Sequence, residues 1–281
     1  MQQRNRFYLA GVMGWPIAHS RSPKIHNHWL EMHGVSGAYV PLAVPPDRLG
    51  PALRALAPLG FSGCNLTIPH KEAAMPLLDR VEPEARRIGA VNCVVVEADG
   101  TLTGKNYDAF GFVASLNAEA PHWRAGAAPA AVIGAGGGAR AVVAGLLDAG
   151  AKEVRLFNRT LDRAQILAAD FGAAVEACSW EERAAGLDGA GLLVNTTSLG
   201  MIGQPPLDLA LDALPSTALV ADIVYAPLET PLLANARRLG LKTVDGLGML
   251  LHQARPAFRD WFGFMPEVTP ALRTLIAQTL E

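Results

Sequence analysis

The chain has 281 residues, half of them hydrophobic and 18% charged, with 24 Lys and Arg against 26 Asp and Glu for a formal net charge of -2. That length suits one large or two ordinary domains with an ample core, and the near-neutral balance gives no basic footprint for nucleic acid or anionic lipid. No apolar run reaches membrane-spanning length and residues 1–14 lack an apolar signal core, so a soluble, cytoplasmic protein is expected.

Residues 6–13 read as a first strand, ending in Gly14, Trp15 and Pro16. A helix follows as far as Gly34, with Ser22 as its N-cap and Pro23 as its first helical residue. Ser20 and Ser22 then stand at a helix N-terminus, where hydroxyls and free amides can hold a carboxylate. Capping alone accounts for Ser22, though not for a second serine two residues earlier. His19, His26, His28 and His33 show no i, i+4 pairing and no accompanying acid at ligand spacing, so no metal site is expected. Cys64, Cys93 and Cys178 are odd in number and widely spaced, which predicts three buried, reduced thiols.

Residues 38–44 form a second strand, 46–57 a helix and 61–68 a third strand, a βαβαβ rhythm that predicts a parallel sheet. Asn65 and Thr67, two apart near the carboxyl end of that strand, are expected on one face, opening onto the crevice where α/β sheets bind ligands. Pro69 starts a helix with Lys71 in its first turn. There the helix dipole opposes a cation, which strains a purely structural role and suits a proton-transferring amine; a solvated surface lysine is the plainer alternative. Residues 91–97 and 101–105 flank Asp99-Gly100, a hairpin signal, and Asn92 opens the first of these strands. Asp108 then begins a helix running to about residue 118. It is either a helix cap or the acidic partner of a nearby amine, and spacing leaves both open. Residues 121–129, rich in Ala, Gly and Pro, read as a linker.

Residues 130–140, AAVIGAGGGAR, are strand, glycine turn and helix with the spacing G-x-G-x-x-A. Gly134 permits the turn, Gly136 lets backbone approach a pyrophosphate, and small Ala139 lets helix pack on strand. The phosphates would sit against unpaired amides at the helix N-terminus; a turn made glycine-rich for packing alone is the plainer alternative. The next strand, 153–157, ends in Asn158, Arg159 and Thr160, with Arg163 one turn on. An NAD site would place an acid here for the ribose 2′-hydroxyl, whereas a guanidinium suits the 2′-phosphate of NADP. The alternative is an ordinary helix start capped by Thr160. Strands at 173–177, 191–197, 218–225 and 241–244 continue the alternation, with Ile223 and Tyr225 expected on one face. Thr230 and Pro231 start a helix, and 249–262 form a long one with Gln253 in its second turn. A last helix, 270–280, has no strand to follow and is expected to return to the first domain.

With these pieces in order, the sequence resembles the shikimate dehydrogenase family over nearly its whole length. H-S-x-S-P-x-x-H-N lies at residues 19–27, N-[VL]-T-x-P-x-K at 65–71, G-A-V-N at 89–92 and G-x-N-x-D at 104–108. N-R-T follows at 158–160, N-T-[TS]-x-x-G-M at 195–201 and D-G-x-x-M-x-x-x-Q at 245–253. The resemblance implies an α/β chain of two domains: a substrate domain over 1–112 completed by 250–281, and a Rossmann-type doubly wound dinucleotide-binding domain over 113–249. It implies NADP as cofactor and the reversible reduction of 3-dehydroshikimate to shikimate, a step of aromatic amino-acid biosynthesis.

By the same resemblance Lys71 and Asp108 are the catalytic pair, and Ser20, Ser22, Thr67, Asn92, Tyr225 and Gln253 line the substrate. Gly134, Ala135, Gly136, Gly137 and Gly138 would hold the pyrophosphate, Asn158, Arg159, Thr160 and Arg163 the adenosine phosphate, and Ile223, Gly246 and Met249 would border the nicotinamide. Tyr107 and Ala109 stand where the family usually has Thr and Gly, and Cys93 where Thr usually follows Asn92. These departures bear on substrate preference, since the charged pair is intact. Quinate dehydrogenase, which accepts one more ring hydroxyl, is the nearest alternative. A silent dinucleotide or shikimate sensor fits the intact pair less well, and a folate-pathway dehydrogenase fits the two-serine anion site less well. A site between two domains implies a hinge near the linker and closure on ligand.

Overall fold

The computed structural model describes residues 7–280, which fall into two compact units: one runs through Tyr107 and resumes from Gln253 to Thr279, the other runs from Asp108 to His252. The first contains β1 (Tyr8–Gly14), α1 (Ser22–Met32), β2 (Gly37–Ala43), α2 (Leu49–Ala55), β3 (Phe61–Leu66), α3 (His70–Ala73), β4 (Arg80–Val81), α4 (Pro83–Ile88), β5 (Cys93–Val96) and β6 (Leu102–Lys105). Its sheet has the order β2-β1-β3-β5-β6-β4. The β1, β2 and β3 strands are parallel, as the βαβαβ rhythm predicts, but β5 runs antiparallel to β3 and β6 antiparallel to β5. The sheet is therefore mixed. The cause is the hairpin signal itself, because a short turn joins only antiparallel neighbours. Gly100 takes φ +83° there, and Asp99 Oδ1 accepts from the Thr101 amide at 3.0 Å.

The second unit carries α5 (Asp108–Glu119), β7 (Ala130–Ile133), α6 (Gly137–Asp148), β8 (Val154–Phe157), α7 (Leu161–Phe171), β9 (Val175–Cys178), β10 (Leu192–Asn195), β11 (Leu219–Asp222), α8 (Pro231–Arg238) and β12 (Lys242–Val244). All its strand pairs are parallel, in the order β12-β11-β10-β7-β8-β9. The chain enters at β7, in the middle, and winds outward both ways. The strands are short and apolar: β7 and β10 are buried at every residue, as befits a parallel sheet covered on both faces. Val132, Val142, Leu156 and Val194 pack one face, and Ile133, Phe157, Leu193 and Val220 the other.

Residues 121–129 are not a linker. They lie inside the second unit, with Ala125 buried in its core, and a Cβ on Gly126 would meet the Gly150 carbonyl at 2.8 Å. Their small residues answer to close packing. The thiols differ as well: Cys64 and Cys93 are buried, but Cys178, on the edge strand β9, is only half-buried.

Two helices end the chain, α9 (Gly246–Phe262) and α10 (Pro270–Ala277). From Gln253 onward this segment belongs to the first unit, so the chain does return to where it began. Trp261 donates its indole N–H to the Val94 carbonyl at 3.0 Å, over Gly63. A side chain on Gly63 would collide with both groups, and its φ of +154° also favours glycine. Arg21 reaches the Thr279 carbonyl at 2.5 Å.

Candidate functional site

In the first unit the site residues follow the carboxyl ends of β1 and β3. Ser22 is not the N-cap of α1; Arg21 holds that position and Ser22 is the first, buried helical residue. The Ser20 hydroxyl accepts from the Ser22 amide at 3.4 Å. Thr67 lies one residue past the end of β3, so strand alternation does not set its direction; its amide donates instead to Met13 O at 3.0 Å. The helix bearing Lys71 is a single turn of four residues, too short for a first-turn dipole argument. What holds Lys71 is its carbonyl, which accepts from the Val91 amide at 2.8 Å.

Asn92 is the centre of this arrangement and is buried. Its amide donates to Lys105 O at 3.0 Å, and its carbonyl accepts from the Leu66 amide and from Asn65 Nδ2, each at 2.9 Å. Its side chain accepts the Tyr107 amide on Oδ1 at 2.9 Å and donates from Nδ2 to Gln253 Oε1 at 3.4 Å. Thus β3, the residue before Asp108 and Gln253 are all tied to Asn92, and the Lys71 turn to its neighbour Val91. Gln253 sits one turn deeper in its helix than expected, because α9 starts at Gly246, with Asp245 Oδ1 accepting from the Leu247 amide at 3.0 Å.

Asn65, expected at the crevice, and two residues that sequence reasoning gave no site role, Tyr39 and His26, complete the first unit's polar chain. Tyr39, fully buried, donates its phenol to Asn65 Oδ1 at 2.6 Å, and the His26 ring stacks on Tyr39 with centroids 4.1 Å apart. Burial brings His26 down to about 3, with Asn65 offsetting part of the effect although neither ring nitrogen meets hydrogen-bond geometry. Tyr39 and His26 offered no signal in the sequence, since they read as ordinary core.

In the second unit the carboxyl ends of β7 and β10 lie side by side, with Ile133 opposite Asn195. Strand order reverses there, which is where open α/β sheets bind ligands. Gly134, at φ +109°, has no room for a Cβ beside Thr196 Oγ1, 2.7 Å away, and Gly138 has none beside Ile223 Cδ1, also 2.7 Å away. Gly136 differs, for nothing lies within 4 Å of where its Cβ would be. Packing does not explain that glycine.

A cavity of about 300 Å³ opens here, lined by Gly134, Ala135, Gly136, Asn158 and Arg159 on one side and Trp180, Thr196, Thr197, Ser198, Leu199, Gln204 and Pro205 on the other. No acid lines it. Gly137 and Gly138 begin α6, whose first amides lack intrahelical partners. Thr160 holds the N-cap position of α7 without a side-chain cap bond, and Arg163 is exposed on that helix; neither lines the cavity.

Ile223 and Tyr225 lie past the end of β11 at Asp222, so no strand face relates them. Ile223 donates its amide to Asn195 O at 3.0 Å, and Gly246 packs so tightly on the Ile223 carbonyl that a side chain would not fit. Met249 is half-buried against the core of this unit. The 195–199 loop, to which sequence reasoning assigned no ligand, is shaped by its own bonds. Asn195 Oδ1 accepts from the Thr197 amide and hydroxyl, and Asn195 Nδ2 donates to Leu199 O and to Asp222 Oδ1, each at 3.0 Å. Burial raises Asp222 to about 6, against the lowering effect of its bonds from Val224, Thr230 and Asn195. Among the described residues no group of three or more His, Cys, Asp and Glu side chains could hold a metal ion, and no helix is long and apolar enough to cross a membrane.

Two family models match the chain: "Shikimate dehydrogenase substrate binding domain" over residues 12–94 and "Shikimate / quinate 5-dehydrogenase" over residues 118–202. The chain is 58% identical to shikimate dehydrogenase (NADP(+)) of Paramagnetospirillum magneticum, over 95% of this chain and 97% of that protein. Among solved structures it resembles shikimate 5-dehydrogenase from Thermus thermophilus in complex with NADP(H) and shikimate, with a TM-score of 0.86, 39% identity and coverage of 98% and 100%. It also resembles quinate dehydrogenase from Corynebacterium glutamicum in complex with NAD, with a TM-score of 0.88, 32% identity and coverage of 98% and 99%.

Proposed function

This chain belongs to the shikimate dehydrogenase family, and we propose that it interconverts 3-dehydroshikimate and shikimate with NADPH and NADP+ as redox partners. The observation that carries the reading is the Val91-Asn92 pair, whose successive residues hold the Lys71 turn, through the Val91 amide, and the residue preceding Asp108, through the Asn92 side chain. In this reading the first unit takes the substrate and the second the cofactor. The open flank of Gly136, the α6 amides and the guanidinium of Arg159 in an acid-free cavity fit a dinucleotide bearing a 2′-phosphate.

When bound, NADPH supplies the hydride that reduces the ketone carbon. The chain's own residues then handle position and charge. Ser20 and Ser22 hold the remote carboxylate, so its binding energy fixes the ketone. Thr67, Asn92, Tyr225 and Gln253 line the ring, and Asp108 accepts from a ring hydroxyl. Lys71 donates to the ketone oxygen and transfers a proton to it as negative charge develops there. Gly134, Ala135, Gly136, Gly137 and Gly138 receive the pyrophosphate, Asn158, Arg159, Thr160 and Arg163 the adenosine phosphate, and Ile223, Gly246 and Met249 border the nicotinamide. A cytoplasmic location accords with a small-molecule substrate and a diffusible cofactor.

Steady-state rates with shikimate and quinate, each with NADP+ and NAD+, test the assignment. Shikimate with NADP+ should give the highest kcat/KM of the four. Equal or faster turnover of quinate with NAD+ would transfer the chain to the quinate branch of the family.

A further inference from the structure

The segment that leads into Asp108 is held at three consecutive residues. Lys105 accepts the Asn92 amide on its carbonyl and brings its ammonium to Asp260 Oδ2 at 2.9 Å and to Glu82 Oε1 at 3.3 Å. Asn106, buried, donates its side-chain amide to Ala90 O at 2.9 Å. Tyr107 donates its backbone N–H to Asn92 Oδ1 and its phenol to Asp260 Oδ2. The other oxygen of Asp260 accepts from Arg259 at 3.0 and 3.2 Å, and the Asp260 side chain is only 10% exposed. One carboxylate, delivered by the C-terminal helix, therefore collects two cations and a phenol.

We infer that the Tyr107–Asp260 pair is a positioning device for Asp108, a role that rests on Asp108 acting at the reacting end of the substrate. The peptide between Tyr107 and Asp108 is planar, and their Cα atoms are about 3.8 Å apart. Holding Tyr107 at both its amide and its phenol thus sets where the next carboxylate starts. A threonine, the family's usual residue here, carries its hydroxyl on Cβ and falls a ring's length short of Asp260. In this chain the tyrosine extends the anchoring of the catalytic strand end to α9 through a charge-assisted bond. Lys105 and Arg259 hold the two oxygens of Asp260 in place.

The test combines Tyr107→Phe, which keeps the ring and removes the bond, with Asp260→Asn and the double variant. Misplacing a reacting group by a fraction of an ångström lowers turnover by about tenfold. That loss is expected in kcat with shikimate for each single variant, with KM for NADP+ unchanged. The double variant should be no worse than the worse single, because the two residues act as one unit. Amide hydrogen exchange at Tyr107 and Asp108 reads the anchoring without any turnover and should quicken in Tyr107→Phe. If kcat stays within twofold, or the loss only follows a fall in Tm and vanishes on cooling the assay, the inference is overturned. Unchanged exchange at both amides overturns it as well. Wild-type protein inactive with shikimate and NADP+ would sink the assigned reaction instead, while the exchange result still decides whether the anchor exists.

Discussion

The two units satisfy their buried polar groups in different ways. In the first, side chains from distant segments bond one another: Tyr39 to Asn65, Asn65 to Asn92, and Asn92 to Gln253 across 161 positions. In the second, most bonds at the strand ends close within a few residues, with Asn195, Thr197 and Leu199 shaping one loop and Asp222 accepting from Val224 and Thr230, while Asn195 to Asp222 and Thr196 to Ile133 join neighbouring strand ends. The second unit's ligand loops are therefore shaped mainly by neighbouring residues. The first unit's site exists only when separate stretches of chain, the C-terminal one included, have come together.

The contrast reaches the ionisable groups. His26 is held down to about 3 by burial, so the unfolded chain binds more protons between about 3 and 6.5 and stability falls as pH drops through that window. Asp222 is raised to about 6, so the folded chain binds more protons between 3.8 and about 6, and its contribution is lost as pH rises through that range. Each shifted unit is worth about 1.4 kcal/mol, which makes the His26 effect on the order of 5 kcal/mol and the Asp222 effect on the order of 3 kcal/mol. Denaturant stability of wild type, His26→Phe and Asp222→Asn between pH 3.5 and 8 separates them. The His26 variant should flatten the acid limb and the Asp222 variant steepen it. The same slope in all three would break the contrast.

At the site the comparison sharpens into kinetics. Lys71→Ala, in the first unit, should lower kcat by about two orders of magnitude with little change in KM, and comparable turnover would remove Lys71 from the mechanism. Arg159→Ala, in the second, should weaken NADP binding by about tenfold and leave NAD nearly untouched. Titration with both dinucleotides checks it, and equal losses would show that Arg159 does not grip a 2′-phosphate.

Sequence reasoning reached further into the second unit for the same reason that its bonds are local. The glycine turn, the N-R-T segment and the Thr230 cap each announce themselves within a few residues, and Thr230 Oγ1 does accept from the Leu233 amide at 3.3 Å. In the first unit local signals misled. Ser22-Pro23 has the form of a cap, yet Arg21 takes that position, and Lys71 lies in a turn that goes no further than Ala73. The mixed sheet was implicit in Asp99-Gly100, but what lies beside β3 is a long-range fact. Tyr39 and His26 could not be told from core residues, because burial alone gives them their character. Roles for individual residues came chiefly from family motifs, which record chemistry that spacing alone does not.

The first unit's dependence on the C-terminal segment has a consequence during synthesis. Domains usually fold in the order they leave the ribosome, but here the earlier-made sheet lacks its covering helix until residues 253–262 emerge. The stretch from Asp108 to His252 that forms the second unit is synthesised before them. Until Trp261 arrives, the nascent sheet carries a vacant groove over Gly63 and an unclaimed Val94 carbonyl at its centre.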